Sequence, residues 1–184
     1  EPVQLIHVAS LNPVKDQATL LRCFQLLARD LDCRLTIVGP DYLDGRLSRL
    51  ARELGVDNRV TFTGYVRHRE LPEYLARAHL MLHTSRHEGM PLAVVEAMAA
   101  GVAVCGTAVG ILSDLAPDCC LTAPVGNHEA LARAVKSLLA NPGRLDRMRR
   151  EAYRWTRTHT IDWTAERFGE IYGGCSGTGL TTKW

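Results

Sequence analysis

Apolar residues follow two rhythms along this chain. Residues 3–9 are apolar almost without interruption until Ser10-Leu11-Asn12-Pro13, which predicts a strand covered on both faces. From Asp16 the spacing widens, and Leu20, Phe24, Leu27 and Leu31 fall on one helical stripe. A second strand is predicted over 33–38, closed by Gly39-Pro40. Leu43, Leu47, Leu50 and Leu54 form a second helical stripe, with Gly55 placed to end it. A third strand over 59–63 runs into Gly64, followed by a short helix over 70–77 and a fourth strand over 78–83. The helix predicted over 92–100 is apolar almost all round; a fifth strand follows over 102–105 and a short sixth over 119–122. Asn127 can cap a helix carrying Leu131, Val135 and Leu138, stopped by Asn141-Pro142. Two more helices are predicted over 144–157 and 163–172. The Gly- and Thr-rich stretch 173–184 reads as a disordered tail behind a domain spanning 1–173.

Strands that alternate with helices in this way mark βαβ units. The expected architecture is therefore α/β: a Rossmann-like open parallel sheet with helices on both faces. Ligands of such sheets bind beyond the carboxyl ends of the strands, here the loops 10–16, 64–69, 85–92 and 106–113.

A length of 184 residues suits one domain with a substantial core. With 22 basic and 20 acidic residues the net charge is +2, which argues against dedicated nucleic-acid binding. The arginines at 144, 147, 149, 150, 154 and 157 read as a solvated helix face. Six cysteines form no CxxC pair or regular framework, so reduced thiols and a cytoplasmic location are expected. No apolar run is long enough for a membrane span or a signal peptide. Glu1-Pro2 leads almost at once into the first strand, as at a domain boundary inside a longer protein.

The chemistry concentrates in His87-Glu88-Gly89-Met90-Pro91-Leu92 and the helix that follows. Pro91 suits a first helical turn, where a missing N–H costs nothing. The amides of Gly89 to Leu92 would then face an anionic or strongly accepting group, and Gly89 lets it approach closely. Glu96 is the one charge in a helix otherwise built of Ala, Val, Leu and Met. Burying it costs several kcal/mol (roughly) unless it is hydrogen-bonded. It holds a sugar diol, faces a solvated stripe, or forms an ion pair with an Arg from another loop. His83-x3-His87-Glu88 has metal-like spacing, yet i,i+4 ligands converge only on a helix, so no metal is expected there.

Glu88-x7-Glu96 followed by Ala97-Met98-Ala99-Ala100-Gly101 resembles the signature of family 4 glycosyltransferases, retaining enzymes of the GT-B type. The resemblance extends over about 3–172, through Lys15, Thr36-Ile37-Val38-Gly39, Val60-Thr61-Phe62-Thr63-Gly64-Tyr65-Val66 and Ala130-Leu131-Ala132, and corresponds to the C-terminal half of that fold. It implies that Glu88 sits beside the transferred sugar, while Gly89, Met90, Pro91 and Leu92 border sugar and pyrophosphate. It further implies that Glu96 takes the ribose hydroxyls, that Gly64, Tyr65 and Val66 border the base, and that Lys15 neutralises the leaving diphosphate. A fixed cation there would favour the transition state over the ground state, although a lysine at a helix start can equally be a surface residue.

One departure stands out. The family commonly has Gly-Arg-Leu where this chain has Ala9-Ser10-Leu11, so Ser10 offers a hydrogen bond in place of a second cation. Either Arg86 or Arg67 compensates, or leaving-group stabilisation is weaker. Gly110, in Val109-Gly110-Ile111-Leu112, either borders the diphosphate as in the family or serves plain turn chemistry. The resemblance implies a UDP-, GDP- or ADP-sugar donor, no cofactor or metal, and an acceptor held by an N-terminal domain beyond this chain. Many relatives act at a membrane face, so peripheral association of the full-length enzyme belongs to the same expectation. Two other functions fit the residues: half of a nucleotide-sugar 2-epimerase, or a non-catalytic sugar-nucleotide-binding module.

Overall fold

The computed structural model describes residues 1–175. Six strands form one parallel sheet: β1 (Val3–Val8), β2 (Cys33–Val38), β3 (Val60–Gly64), β4 (Leu80–His83), β5 (Ala103–Thr107) and β6 (Leu121–Ala123), in the spatial order β3-β2-β1-β4-β5-β6. The helices are α1 (Gln17–Asp30), α2 (Arg46–Glu53), α3 (Leu71–Ala76), α4 (Leu92–Ala99), α5 (Ile111–Leu115), α6 (His128–Leu139), α7 (Pro142–Thr158) and α8 (Ile161–Cys175). The predicted open α/β sheet is the observed one.

Neighbouring residues of each strand enter opposite layers, as the period-2 geometry of a strand requires. Leu5, Leu35, Ile37, Leu80, Leu82, Ala103 and Cys105 meet α1, α2 and α6, whose Leu20, Phe24, Leu27, Leu47, Leu131 and Val135 close one face. Ile6, Val38, Met81 and Val104 meet Leu71 and Leu75 of α3, Val94, Ala97 and Met98 of α4, and Leu112 of α5 on the other. Burial of each such Leu, Ile or Phe is worth about 1.5–3 kcal/mol before entropy is charged.

Local signals act as expected at several ends. The Asn127 and Asn141 side chains accept from Ala130 N and Arg144 N, capping α6 and α7, and the Gly55 amide closes on the Arg52 carbonyl after α2. Leu43 lies outside the helix its stripe predicted: Asp41 Oδ1 accepts from Leu43 N at 2.7 Å, and the helix begins only at Arg46. The short α5 was not predicted. The helix α8 carries on through Cys175, so residues 173–175 are helical rather than part of a tail; the rest of the expected disordered stretch lies outside the described residues. Among the described residues no helix is long and apolar enough to cross a membrane, and five buried cysteines are unpaired.

The strand order positions the site. After β1 the chain winds outward through β2 and β3, then returns to place β4 on the opposite side of β1. The loops that follow β1 and β4 therefore run to opposite faces and open a crevice at the carboxyl ends of these central strands.

Candidate active site

The loop after β1 is folded by its own side chains. Asn12 Oδ1 accepts from Val14 N at 3.0 Å and from Lys15 N at 3.2 Å, and Asn12 Nδ2 donates to Ser10 Oγ at 3.0 Å. Asp16 caps α1 with a left-handed backbone, φ 46°, a conformation that short polar residues tolerate best. Its buried carboxylate accepts from Thr19 Oγ1 at 3.0 Å and lies 3.2 Å from Arg86 Nη2. Two further bonds join this loop to the one after β4: Thr84 Oγ1 donates to Lys15 O at 3.0 Å, and Arg86 N donates to Val14 O at 2.8 Å.

So held, Lys15 Nζ meets Glu88 Oε1 in a direct ion pair, with only 12% of the Glu88 side chain exposed. Burial by itself would raise the Glu88 carboxyl, but the Lys15 ammonium and the Ser85 hydroxyl outweigh it and keep it below the usual carboxylate range. The two residues expected to act on either side of a scissile bond thus occupy one spot, although 73 positions separate them in the chain.

Glu88 leads into α4, whose N-cap is Pro91, with no side chain closing its first turn. The amide end of α4 is therefore open beside Gly89, Met90 and Leu92. Met90 and Leu92 are exposed. Gly110 proves to be more than a turn residue. A Cβ on it would fall 2.1 Å from Gly89 O and 2.6 Å from Glu88 O, and its φ of 50° is one that side chains disfavour. With Ile111 N donating to Gly89 O at 2.9 Å, the β5–α5 connection braces the Glu88 loop from beneath.

Glu96 lies one face further along α4. That helix is less enclosed than its composition suggests: Val94, Ala97 and Met98 are buried, while Leu92 is 71% exposed and a third of the Glu96 side chain meets solvent. The partner of Glu96 is His68, whose Nε2 lies 2.6 Å from Glu96 Oε1, in place of the arginine that was one of the alternatives. His68, Tyr65 and Val66, together with Ser10, Gly39 and Pro40, line a recess of about 240 Å³ beside the β1 and β2 ends. Gly64 takes φ 70°, and its carbonyl accepts from Gly39 N at 2.9 Å, which leaves Tyr65 73% exposed at the rim. A second recess, about 440 Å³ between residues 12–18 and Leu43, Leu47, Arg86 and His87, borders the same loop.

The structure thus gathers Lys15, Glu88 and the α4 end into one cluster, and Ser10, Gly64, Tyr65, Val66 and Glu96 around a neighbouring one. Of the arginines expected to replace the family's second cation, Arg86 is held by Asp16 and Arg67 stands 3.9 Å from Glu70; neither pairs with Glu88. His83 and His87 do not converge as metal ligands, because His83 ends a strand and turns its Nε2 toward Glu88 at 3.3 Å. The sequence pattern gives no role to His7 or His68 and offers His83 only as a metal ligand. Buried His7 and His83, at alternating-strand positions among aliphatic neighbours, were the available signal.

Residues 1–155 match the family model described as glycosyl transferases group 1. The chain is 29% identical to a D-inositol 3-phosphate glycosyltransferase of Thermomonospora curvata over 95% of its own length and 43% of the relative's. It is 33% identical to the N-acetyl-alpha-D-glucosaminyl L-malate synthase of Bacillus anthracis over 58% of its length and 27% of the relative's. It therefore spans less than half of these curated relatives. Among solved structures, a sucrose-phosphate synthase from Thermosynechococcus elongatus superposes with a TM-score of 0.84 at 24% identity, over 97% of this chain and 47% of the other. The Anabaena protein HepE, solved in complex with UDP, does so at 0.82 and 20% identity, over 94% of this chain and 49% of the other.

Proposed function

Because the chain belongs to the group 1 glycosyl transferases, we propose that it is the donor-binding domain of a retaining enzyme that moves a sugar from a nucleoside diphosphate to an acceptor held by an N-terminal half. The observation that carries this reading is the Lys15–Glu88 pair at the open amide end of α4. A diphosphate entering there offers Lys15 a partner of higher charge than one carboxylate, and the α4 amides supply further donors. Lys15 then stands where negative charge grows as the bond between the anomeric carbon and the β-phosphate oxygen breaks. Glu88, released from the ion pair, is free to accept from a sugar hydroxyl. The acceptor hydroxyl attacks from the face the diphosphate leaves and passes its proton to the departing phosphate oxygen, and configuration is retained. Lys15 already supplies a cation for the leaving group, so the step as drawn needs no metal.

Glu96 fits the ribose hydroxyls, with His68 yielding its place or bridging to them, and the recess beside Tyr65 and Val66 fits the base. On α8, Ile161, Phe168, Ile171 and Tyr172 are exposed by 83, 54, 62 and 68%, as a helix seated on a further domain would require. Calorimetry with UDP, GDP and ADP tests the reading directly. Binding of at least one in the micromolar to millimolar range is expected; silence from all three and from their sugar conjugates would dismiss it.

A further inference from the structure

Beneath Lys15 and Glu88 lies a polar layer that glycosyl transfer, as drawn above, leaves without a task. His83 ends β4 and is 1% exposed. Its Nε2 stands 3.3 Å from Glu88 Oε1, off the line of a well-formed hydrogen bond, and its Nδ1 has no partner. Buried polar atoms left unpaired are rare, because they give up water for nothing. The strand end that carries His83 is closely packed against β5. Gly106 is its register partner on β5, and a Cβ there would lie 3.2 Å from His83 Cβ and 2.5 Å from the His83 carbonyl oxygen.

A second histidine fixes what His83 can do. The His7 ring stacks on it with centroids 6.4 Å apart. His7 Nδ1 lies 2.9 Å from the Leu82 carbonyl and must donate to it, which leaves Nε2 to accept from Gln17 Nε2 at 3.3 Å. Gln17 Nε2 also donates to Ser10 O at 3.0 Å. With His7 committed in both directions, Glu88 is the group toward which His83 can complete a bond.

We propose, building on the transfer reading, that His83 is a positioning residue that takes over the Glu88 carboxylate when the donor diphosphate draws Lys15 away. Lys15 Nζ and His83 Nε2 face the same oxygen, Oε1. When the ammonium turns to phosphate, a mostly buried carboxylate loses its cation, and a small shift brings Oε1 onto the Nε2–H. A neutral imidazole suits this handover: it donates to Glu88 without competing with Lys15 for the phosphate. The groups facing His83 are Glu88, Lys15 and His7, and burial pushes its pKa down to about 4, which keeps it uncharged near neutrality.

NMR on the full chain tests the handover without knowledge of the donor. Nitrogen-15 spectra of the wild type should show His83 as one neutral tautomer, protonated on Nε2, from pH 8 to pH 5. In Lys15→Met, carbon-13 titration should find Glu88 still ionised at pH 5. Adding His83→Met should raise its proton affinity about tenfold, and adding His83→Gln, whose amide can donate from a similar direction, should restore most of the difference. A proton on His83 Nδ1, or identical Glu88 titrations in Lys15→Met with and without His83, overturns the proposal. The tautomer and the glutamine variant decide the matter even where the methionine variant does not fold. Parallel calorimetry with UDP, GDP and ADP separates the two ideas: failure of all three to bind removes the transfer reading, while the Glu88 titrations independently judge the handover.

Discussion

The two carboxylates of the Glu-x7-Glu motif sit on one short segment and live in opposite settings. Glu88 is 12% exposed and meets a lysine and a buried histidine, within loops cross-linked by Thr84, Arg86 and Asp16. Glu96 is 33% exposed and meets one histidine that is itself 84% exposed. Coulombic interactions gain strength as water is excluded, so the first pair carries a preset field while the second is cheap to rearrange. A motif that looks symmetrical in the sequence thus divides into a buried, cross-linked centre and an exposed rim.

The sharpest way to break this contrast is to discharge the buried centre. Lys15→Ala or Glu88→Gln in the full-length enzyme should lower the rate of sugar transfer by about 10²–10³-fold, measured with a donor identified by calorimetry. Mild acid should reach the layer beneath. His7 and His83 have pKa values pushed down by burial to about 3 and about 4, so between pH 6.5 and these values the unfolded chain binds protons that the folded chain refuses. Stability is therefore complete above pH 6.5 and falls as the pH drops, by about 2 kcal/mol for each ring at pH 5. The stability that Glu88 contributes through its depressed carboxyl is complete above its unfolded pKa and is lost only below it, so urea midpoints at pH 7.5 and pH 5 isolate the histidines. A flat profile between those pH values would mean that the rings are hydrated. Next in size, Asp16→Ala removes the α1 cap and the anchor of Arg86, and should cost about 1–2 kcal/mol in urea denaturation. The smallest effects belong to the rim. Glu96→Gln should weaken nucleotide binding about threefold to tenfold, and His68→Ala should leave stability within about 0.5 kcal/mol. An equal loss of transfer in Glu88→Gln and Glu96→Gln would erase the distinction between centre and rim.

Elements with a full period of apolar residues were legible from the sequence: β1, β2, α1, α4 and α6 lie where their patterns put them. The helix α5 was not, because five residues behind a positive-φ glycine show no helical stripe. Leu43 misled by spacing alone, since it packs on the core from a loop. At the site, Lys15 and Glu88 could be named from the family resemblance, yet their contact is a product of strand order. Pairings across long separations were hidden for the same reason: no local pattern links His68 to Glu96 or His83 to the Lys15 loop. His83 was weighed as a metal ligand by its spacing to His87, but strand geometry sends the two side chains to different surroundings.

The arrangement of the strands also dictates when this site can exist during synthesis. β1 pairs on one edge with β2, and the partner of its other edge, β4, is synthesised some forty positions later in the chain. Until β4 docks, that edge is bare and prone to wrong partners, and Lys15 has no carboxylate to meet. A nascent chain that has not yet delivered Glu88 to the ribosome exit would lack the Lys15–Glu88 pair, and the growing protein would be most in need of chaperone cover in that interval.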